Sequence, residues 1–87
     1  MFEGKTLLIT GGTGSFGNAV LKRFLNTDIK EIRVFSRDEQ KQYEMKMHYK
    51  NEKIKFYIGD VKDIDTVKNA MQGVDYVFHA AALKQVP

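Results

Sequence analysis

The sequence predicts an α/β fold, the first part of a doubly wound parallel sheet, with elements in the order β-α-β-α-β-α-β and strands side by side as 3-2-1-4. Three observations carry this reading. Short apolar runs alternate with longer amphipathic stretches, a glycine-rich turn joins the first run to the first stretch, and a run of small residues closes the fourth. Right-handed crossovers then bring the glycine turn and the small-residue run, far apart in sequence, to one crevice between strands 1 and 4.

Leu7, Leu8 and Ile9 form the first buried-strand candidate. From Phe16 the apolar residues Phe16, Val20 and Phe24 recur at i, i+4, i+8, broadened by Ala19, Leu21 and Leu25, which is the pattern of a helix with one apolar face. Residues 26–30 read as a polar turn and 31–35 as the second strand. Residues 38–50 are ambiguous by periodicity, because Tyr43, Met45, Met47 and Tyr49 alternate as in a strand while Tyr43 with Met47 also fits a helix. Their Glu, Gln, Lys and Met content, the lack of β-branched residues and Asp38 as an N-cap decide for a helix. Residues 53–58 make a cleaner strand, with Ile54, Phe56 and Ile58 alternating against Lys55 and Tyr57. Asp63 or Asp65 then caps a short helix with Ile64, Val67 and Met71 on one face, Gly73 stops it, and residues 74–78 form the fourth strand.

The chemistry is concentrated at strand ends. Residues 10–17 read TGGTGSFG, in which Gly12-x-Gly14-x-x-Gly17 fits G-x-G-x-x-G and Gly11-x-x-Gly14-x-x-Gly17 fits a related spacing. A strand before and a helix after supply the context that a dinucleotide-binding, Rossmann-type turn requires, and they speak against a merely flexible Gly/Ser loop. The first glycine turns the chain out of the strand, Gly14 lets the backbone approach a pyrophosphate, and Gly17 lets the helix pack close. Amides at the helix start then face the anion. At the end of the second strand, where such folds normally place an acidic residue on the ribose hydroxyls, this chain has Ser36 and Arg37. A carboxylate would repel a 2′-phosphate, whereas a hydroxyl with a guanidinium binds one, and Lys41 follows one helical turn on, so NADP is favoured over NAD. The alternative is a solvated Arg37, with Asp38 reaching the ribose.

Asp60 ends the third strand, placed to accept from an adenine amino group with Val61 covering the ring; a turn or capping aspartate is the alternative. After His79, the residues Ala80, Ala81 and Ala82 leave room for a ribose or nicotinamide, or else fill a tight core. Lys84 follows within reach of a phosphate or ribose hydroxyl. His79 reads as a packed strand-end residue rather than a catalytic base, His48 as a surface residue, and the methionines as packing.

Composition narrows the class. Ordinary apolar content with high charge describes a soluble globular domain, no stretch approaches about 20 apolar residues, and no signal-peptide layout opens the chain, so a cytoplasmic location is expected. No cysteine is present, which excludes disulfides and thiolate metal sites, and no metal is expected. The net charge of +3 comes from Lys and Arg interspersed with Asp and Glu rather than from a basic stripe, so no nucleic-acid partner is expected, and no membrane partner either.

TGGTGSFG at 10–17, SRDEQKQYEM at 36–45, GDVKD at 59–63 and VFHAAALKQVP at 77–87 together resemble the start of the bacterial nucleotide-sugar 4,6-dehydratases, of the extended short-chain dehydrogenase/reductase superfamily. The most similar branch is the UDP-N-acetylglucosamine 4,6-dehydratases, including 5-epimerising forms, of capsule, O-antigen and flagellin-sugar synthesis. SRDE with AALKQVP is the specific part, and it speaks against UDP-galactose 4-epimerases, whose second strand usually ends in an acidic residue. The resemblance implies that Gly11, Thr13, Gly14, Ser15, Phe16 and Gly17 form the pyrophosphate turn and that Ser36, Arg37 and Lys41 surround the 2′-phosphate. It further implies that Asp60 and Val61 contact adenine, that Ala80 lies beside the nicotinamide-side ribose, and that Lys84 touches cofactor, substrate or both. In that family NADP takes a hydride from sugar C4, water leaves across C5 and C6, and the hydride returns to C6. The family's catalytic residues lie downstream of the fourth strand. The 87 residues are therefore expected to be an N-terminal cofactor-binding segment with no catalytic residue and no turnover alone, handling a nucleotide sugar only when completed by the rest of the chain, with homo-oligomeric full-length relatives. The alternative function is a non-catalytic nucleotide-binding or assembly module of the same fold.

Overall fold

The computed structural model describes residues 1–80. Its elements run β1 (Thr6–Thr10), α1 (Ser15–Leu25), β2 (Glu31–Ser36), α2 (Glu39–Tyr49), β3 (Ile54–Ile58), α3 (Ile64–Met71) and β4 (Tyr76–His79). The four strands lie in the order β3-β2-β1-β4, all parallel, as the alternation of apolar runs and helices predicts. Leu7 pairs with Ile32 on one side and Tyr76 on the other, so β1 is central and wholly buried.

Alternation along the strands divides the core between two faces. Leu7, Ile9, Ile32, Val34 and Ile54 share one face with Val20 and Leu21 of α1 and Met45 of α2. Leu8 and Phe35 point the other way, onto Ala70 of α3 with Val67 and Val74 at its edge. Ile29 departs from the polar turn expected at 26–30: it is fully buried in the larger cluster, and its backbone bridges to Glu3. A single isoleucine among polar neighbours carries no periodicity, yet one buried isoleucine stabilises by about 1.5–3 kcal/mol.

Two helix faces also differ from expectation. α3 buries Ala70, while Ile64 of the expected apolar face is 65% exposed and Met71 is exposed as well. In α2 the buried stripe is Gln42 and Met45 with half-buried Tyr49, and Tyr43 and Met47 face outward. Asp38 caps α2 by accepting from the Lys41 amide at 3.0 Å. Asp63 caps α3, accepting from the Asp65 and Thr66 amides, and bonds from Thr66 hold its carboxyl below the usual range. A depressed folded-state pKa means that this cap is intact above the ordinary carboxylate range and is lost as acid takes pH down through the folded value. Gly73, at φ +76, stops α3 as expected, and β4 begins only at Tyr76 because Asp75 turns its carboxylate back onto the Thr6 amide at 2.9 Å.

Crossing from β3 to α3 requires close contact. An ideal Cβ on Gly59 would lie 2.2 Å from Thr66 Cγ2 and 3.1 Å from Phe35 Cζ. Replacing Gly59 by Ala is expected to destabilise the domain by about 1–3 kcal/mol in urea unfolding, and adding Thr66→Ser, which removes the clashing methyl, is expected to recover part of that loss.

Candidate functional site

The carboxyl ends of β1, β2 and β3 converge on the turn between β1 and α1. Gly11 leaves β1 with φ +66, a conformation glycine adopts without penalty, and its amide donates to Phe35 O at 2.8 Å, which ties the turn to β2. Gly17 presses the first turn of α1 onto Gly12, where an ideal Cβ would come within 2.5 Å of Gly12 Cα. Gly14 is the N-cap of α1 and has no side chain with which to cap, so the amides of Ser15, Phe16 and Gly17, which lack intrahelical acceptors by position, keep no side-chain partner from the cap. The helix has no acidic residue in its first turn to compete with an incoming anion. These features fit a pyrophosphate: a turn with glycine at 11, 12 and 14, followed by uncapped amides at the positive end of a helix dipole.

A polar network fixes the turn. Asn18 Nδ2 donates to Thr13 O at 3.3 Å and Gly14 O at 3.0 Å, and Tyr49 donates its hydroxyl to Asn18 Oδ1 at 2.9 Å. Burial pushes the Tyr49 phenol pKa up, so it stays a donor. Thr13 Oγ1 and Ser36 Oγ lie 3.1 Å apart, joining the turn to the tip of β2, and Ser36 Oγ also accepts from the Asp38 amide at 2.8 Å. Gln42, only 3% exposed, donates to Ser36 O at 3.3 Å and Tyr57 O at 2.8 Å, holding the ends of β2 and β3 together.

An open cleft of about 840 Å³ runs beside this seam, between the β2 and β3 exits, lined by Gly11, Ser36, Arg37, Asp60, Val61 and Lys62 among others. Arg37 is 78% exposed and pairs with Asp60 at 3.5 Å, an exposed contact worth about 0–1 kcal/mol, so its guanidinium is free to re-aim at little cost. Asp60 also accepts from the Lys62 amide at 2.9 Å, which makes it a turn aspartate with one carboxylate oxygen facing Arg37. Val61 is exposed at the rim.

The expected residues are therefore brought together in part. Thr13, Ser36 and Arg37 meet at one place, with Asp60 and Val61 across the cleft. Lys41 lines a smaller hollow with Thr13, Asn18 and Tyr49. Phe16 is partly exposed and tilts against Phe78, with centroids 5.4 Å apart. Ala80 is fully buried in the core cluster on the α1 side. Lys84 lies outside the described residues, as do Ala81 and Ala82. His79 bonds through Nδ1 to Thr10 Oγ1 at the strand ends but is exposed, so it is not the packed residue the sequence led one to expect. Two contributors escaped sequence reasoning. Lys62 enters the cleft directly after Val61, and a basic residue at a strand exit is a signal that sequence carries, whereas Gln42 gave none, being one polar residue in a polar helix.

Residues 7–87 match the family described as polysaccharide biosynthesis protein. The chain belongs to that family. It is 69% identical over its whole length to a UDP-glucose 4-epimerase of Rickettsia bellii, and it spans 27% of that relative. Among solved structures, Pen from Bacillus thuringiensis superposes with a TM-score of 0.84 at 39% identity, over 88% of this chain and 24% of that one. The Bordetella bronchiseptica enzyme WbmF, solved in complex with NAD+, shares the fold at a TM-score of 0.70 and 18% identity, over 90% of this chain and 23% of that one. The relative's name stands against the expectation, drawn from SRDE with AALKQVP, that a UDP-galactose 4-epimerase is disfavoured. Among the described residues, no helix is long and apolar enough to cross a membrane, and no group of three or more metal-ligating side chains is assembled.

Gln42→Leu is expected to leave the Tyr57 carbonyl without its side-chain partner and to lower stability by about 1–3 kcal/mol, read from urea unfolding.

Proposed function

We propose that this chain is the NADP-binding segment of a nucleotide-sugar-modifying enzyme of polysaccharide biosynthesis, of the UDP-N-acetylglucosamine 4,6-dehydratase type. The observation that carries the cofactor reading is the tip of β2, where Ser36 Oγ meets Thr13 Oγ1 at 3.1 Å and the last strand residue is a hydroxyl rather than a carboxylate. Arg37, held only by a weak exposed pair, supplies the charge for a 2′-phosphate, and Lys41, which lines a hollow with Thr13, adds a second cation nearby. The glycine turn takes the pyrophosphate, while Asp60 and Val61 take the adenine. When bound, the cofactor supplies reversible hydride transfer; the segment's own residues bind and orient it. The nucleotide sugar is the substrate of the longer protein, to which Lys84 contributes.

A second reading is favoured by one observation, the name of the 69% identical relative: a UDP-glucose 4-epimerase segment. The two differ in what leaves the sugar. A polypeptide of the relatives' full length carrying this segment is expected to convert UDP-N-acetylglucosamine to a product lighter by one water, seen by mass spectrometry; a product of unchanged mass, from this sugar or UDP-glucose, would favour the epimerase.

Calorimetry on the 87-residue chain tests the cofactor. NADPH is expected to bind at least tenfold more tightly than NADH, and Arg37→Ala to remove about 1.5–3 kcal/mol of NADPH binding while leaving NADH nearly unchanged. A preference for NADH would overturn the reading of Ser36 and Arg37.

A further inference from the structure

Tyr49 is the last residue of α2, and its ring packs against the core on the α1 side. Its hydroxyl reaches Asn18 Oδ1, 31 residues earlier in the chain, at 2.9 Å. Asn18 passes the hold onward, because its Nδ2 donates to Thr13 O at 3.3 Å and to Gly14 O at 3.0 Å. The end of one helix is thereby tied to the turn that opens another.

Peptide geometry carries this tie to the amides. In a planar trans peptide the carbonyl and the following N–H point to opposite sides, and among the described residues no peptide is cis. Gly14 O is held from within α1 by the Asn18 amide at 2.9 Å and by Asn18 Nδ2, so the Ser15 N–H is fixed in the opposite direction. Thr13 O fixes the Gly14 N–H in the same way, and that amide donates to Gly11 O at 3.4 Å. Glycine at position 14 has no side chain to resist rotation, so the two peptides flanking it take their orientation from Asn18. Asn18 is itself only half-buried, and a swing of its side chain would release both carbonyls. The Tyr49 bond opposes that swing.

We infer that Tyr49 is a positioning residue for the cofactor pyrophosphate, acting through Asn18 to hold the peptides on either side of Gly14 so that the Ser15 amide faces the anion. This rests on the reading of the glycine turn as the pyrophosphate site. The hydroxyl performs the task and the ring only packs. Ser36 and Arg37, which meet the 2′-phosphate in that reading, lie before the start of α2, so loss of the Tyr49 hydroxyl acts on the part that NADPH and NADH share.

Calorimetry on the 87-residue chain tests this. Tyr49→Phe keeps the ring and is expected to weaken NADPH and NADH by the same factor, about threefold to tenfold, whereas Arg37→Ala shifts the ratio between them. Tyr43→Phe removes an exposed hydroxyl from the same helix and is expected to change neither affinity. In an Asn18→Ala chain, Tyr49→Phe is expected to add no further loss, because the path is already cut; a tyrosine that only stabilised the fold would lower the urea midpoint and leave the affinity of the folded chain unchanged. Amide NMR of the cofactor-free chain gives a second readout, with the Ser15 resonance expected to move in Tyr49→Phe and to stay in Tyr43→Phe. Unchanged affinities in Tyr49→Phe, with Arg37→Ala still selective against NADPH, would overturn this inference and leave the cofactor reading standing. A loss confined to NADPH, or losses that simply add in the Asn18 and Tyr49 double variant, would overturn it as well. No binding of either cofactor by the unaltered chain would overturn the cofactor reading and this inference together.

Discussion

The contact between Gly17 and Gly12 is the constraint on which the site depends. With an ideal Cβ on Gly17 only 2.5 Å from Gly12 Cα, the start of α1 can come this near only if Gly17 has no side chain. Gly12 is itself wedged, since a Cβ there would meet Val34 Cγ1 at 2.9 Å and Ile9 O at 3.2 Å. The turn is thus clamped between a helix and two central strands, in a protein interior packed at crystal-like density where neighbours have little room to yield. That clamp sets the direction in which the Ser15, Phe16 and Gly17 amides point. A larger residue at either position would move the helix start and misdirect the amides together.

Around that clamp, polar side chains rather than apolar ones set the register of the strand exits. Asn18 holds the turn, Tyr49 holds Asn18, the Thr13 and Ser36 hydroxyls join turn to β2, and Gln42 joins β2 to β3. Each buried group in this set has a partner; among the described residues, no buried side-chain nitrogen or oxygen is left unsatisfied. Such networks are directional, which suits a site whose parts come from three strands. Arg37 stands outside the network, anchored only to Asp60, and so can be moved without disturbing it.

Much of this was legible in the sequence, and the reasons are particular. The sheet order follows from apolar runs separated by amphipathic ones and from a glycine spacing whose neighbours fit it, signals that span many residues. The Asp38 cap and the Gly73 stop were legible because each follows from one residue's local chemistry. The faces of α2 were not, because Tyr43 and Met47 are apolar without being buried, and a helix with apolar residues on both sides has no unique inward direction. α3 misled for a related reason: its buried residue is the small Ala70, while its larger apolar residues stay partly in solvent. The candidate site was legible as strand ends and turns, but the buried bonds of Gln42 to Ser36 O and Tyr57 O depend on where α2 sits over β2 and β3, a tertiary fact that spacing in sequence does not contain.

The parallel arrangement also shapes how the chain comes to be folded. Every strand pair spans a crossover: Thr6 meets Glu31, Ile32 meets Ile54, and Leu7 meets Tyr76. Among the described residues, no hairpin offers a local start. On a ribosome adding about 5–20 residues per second, β1 waits roughly 3–14 s after its own synthesis before β4 exists to cover its second edge. Of the two inner strands among the described residues, β1 is therefore the one that waits longer for its second neighbour, with its apolar middle, Leu7 to Ile9, left open meanwhile.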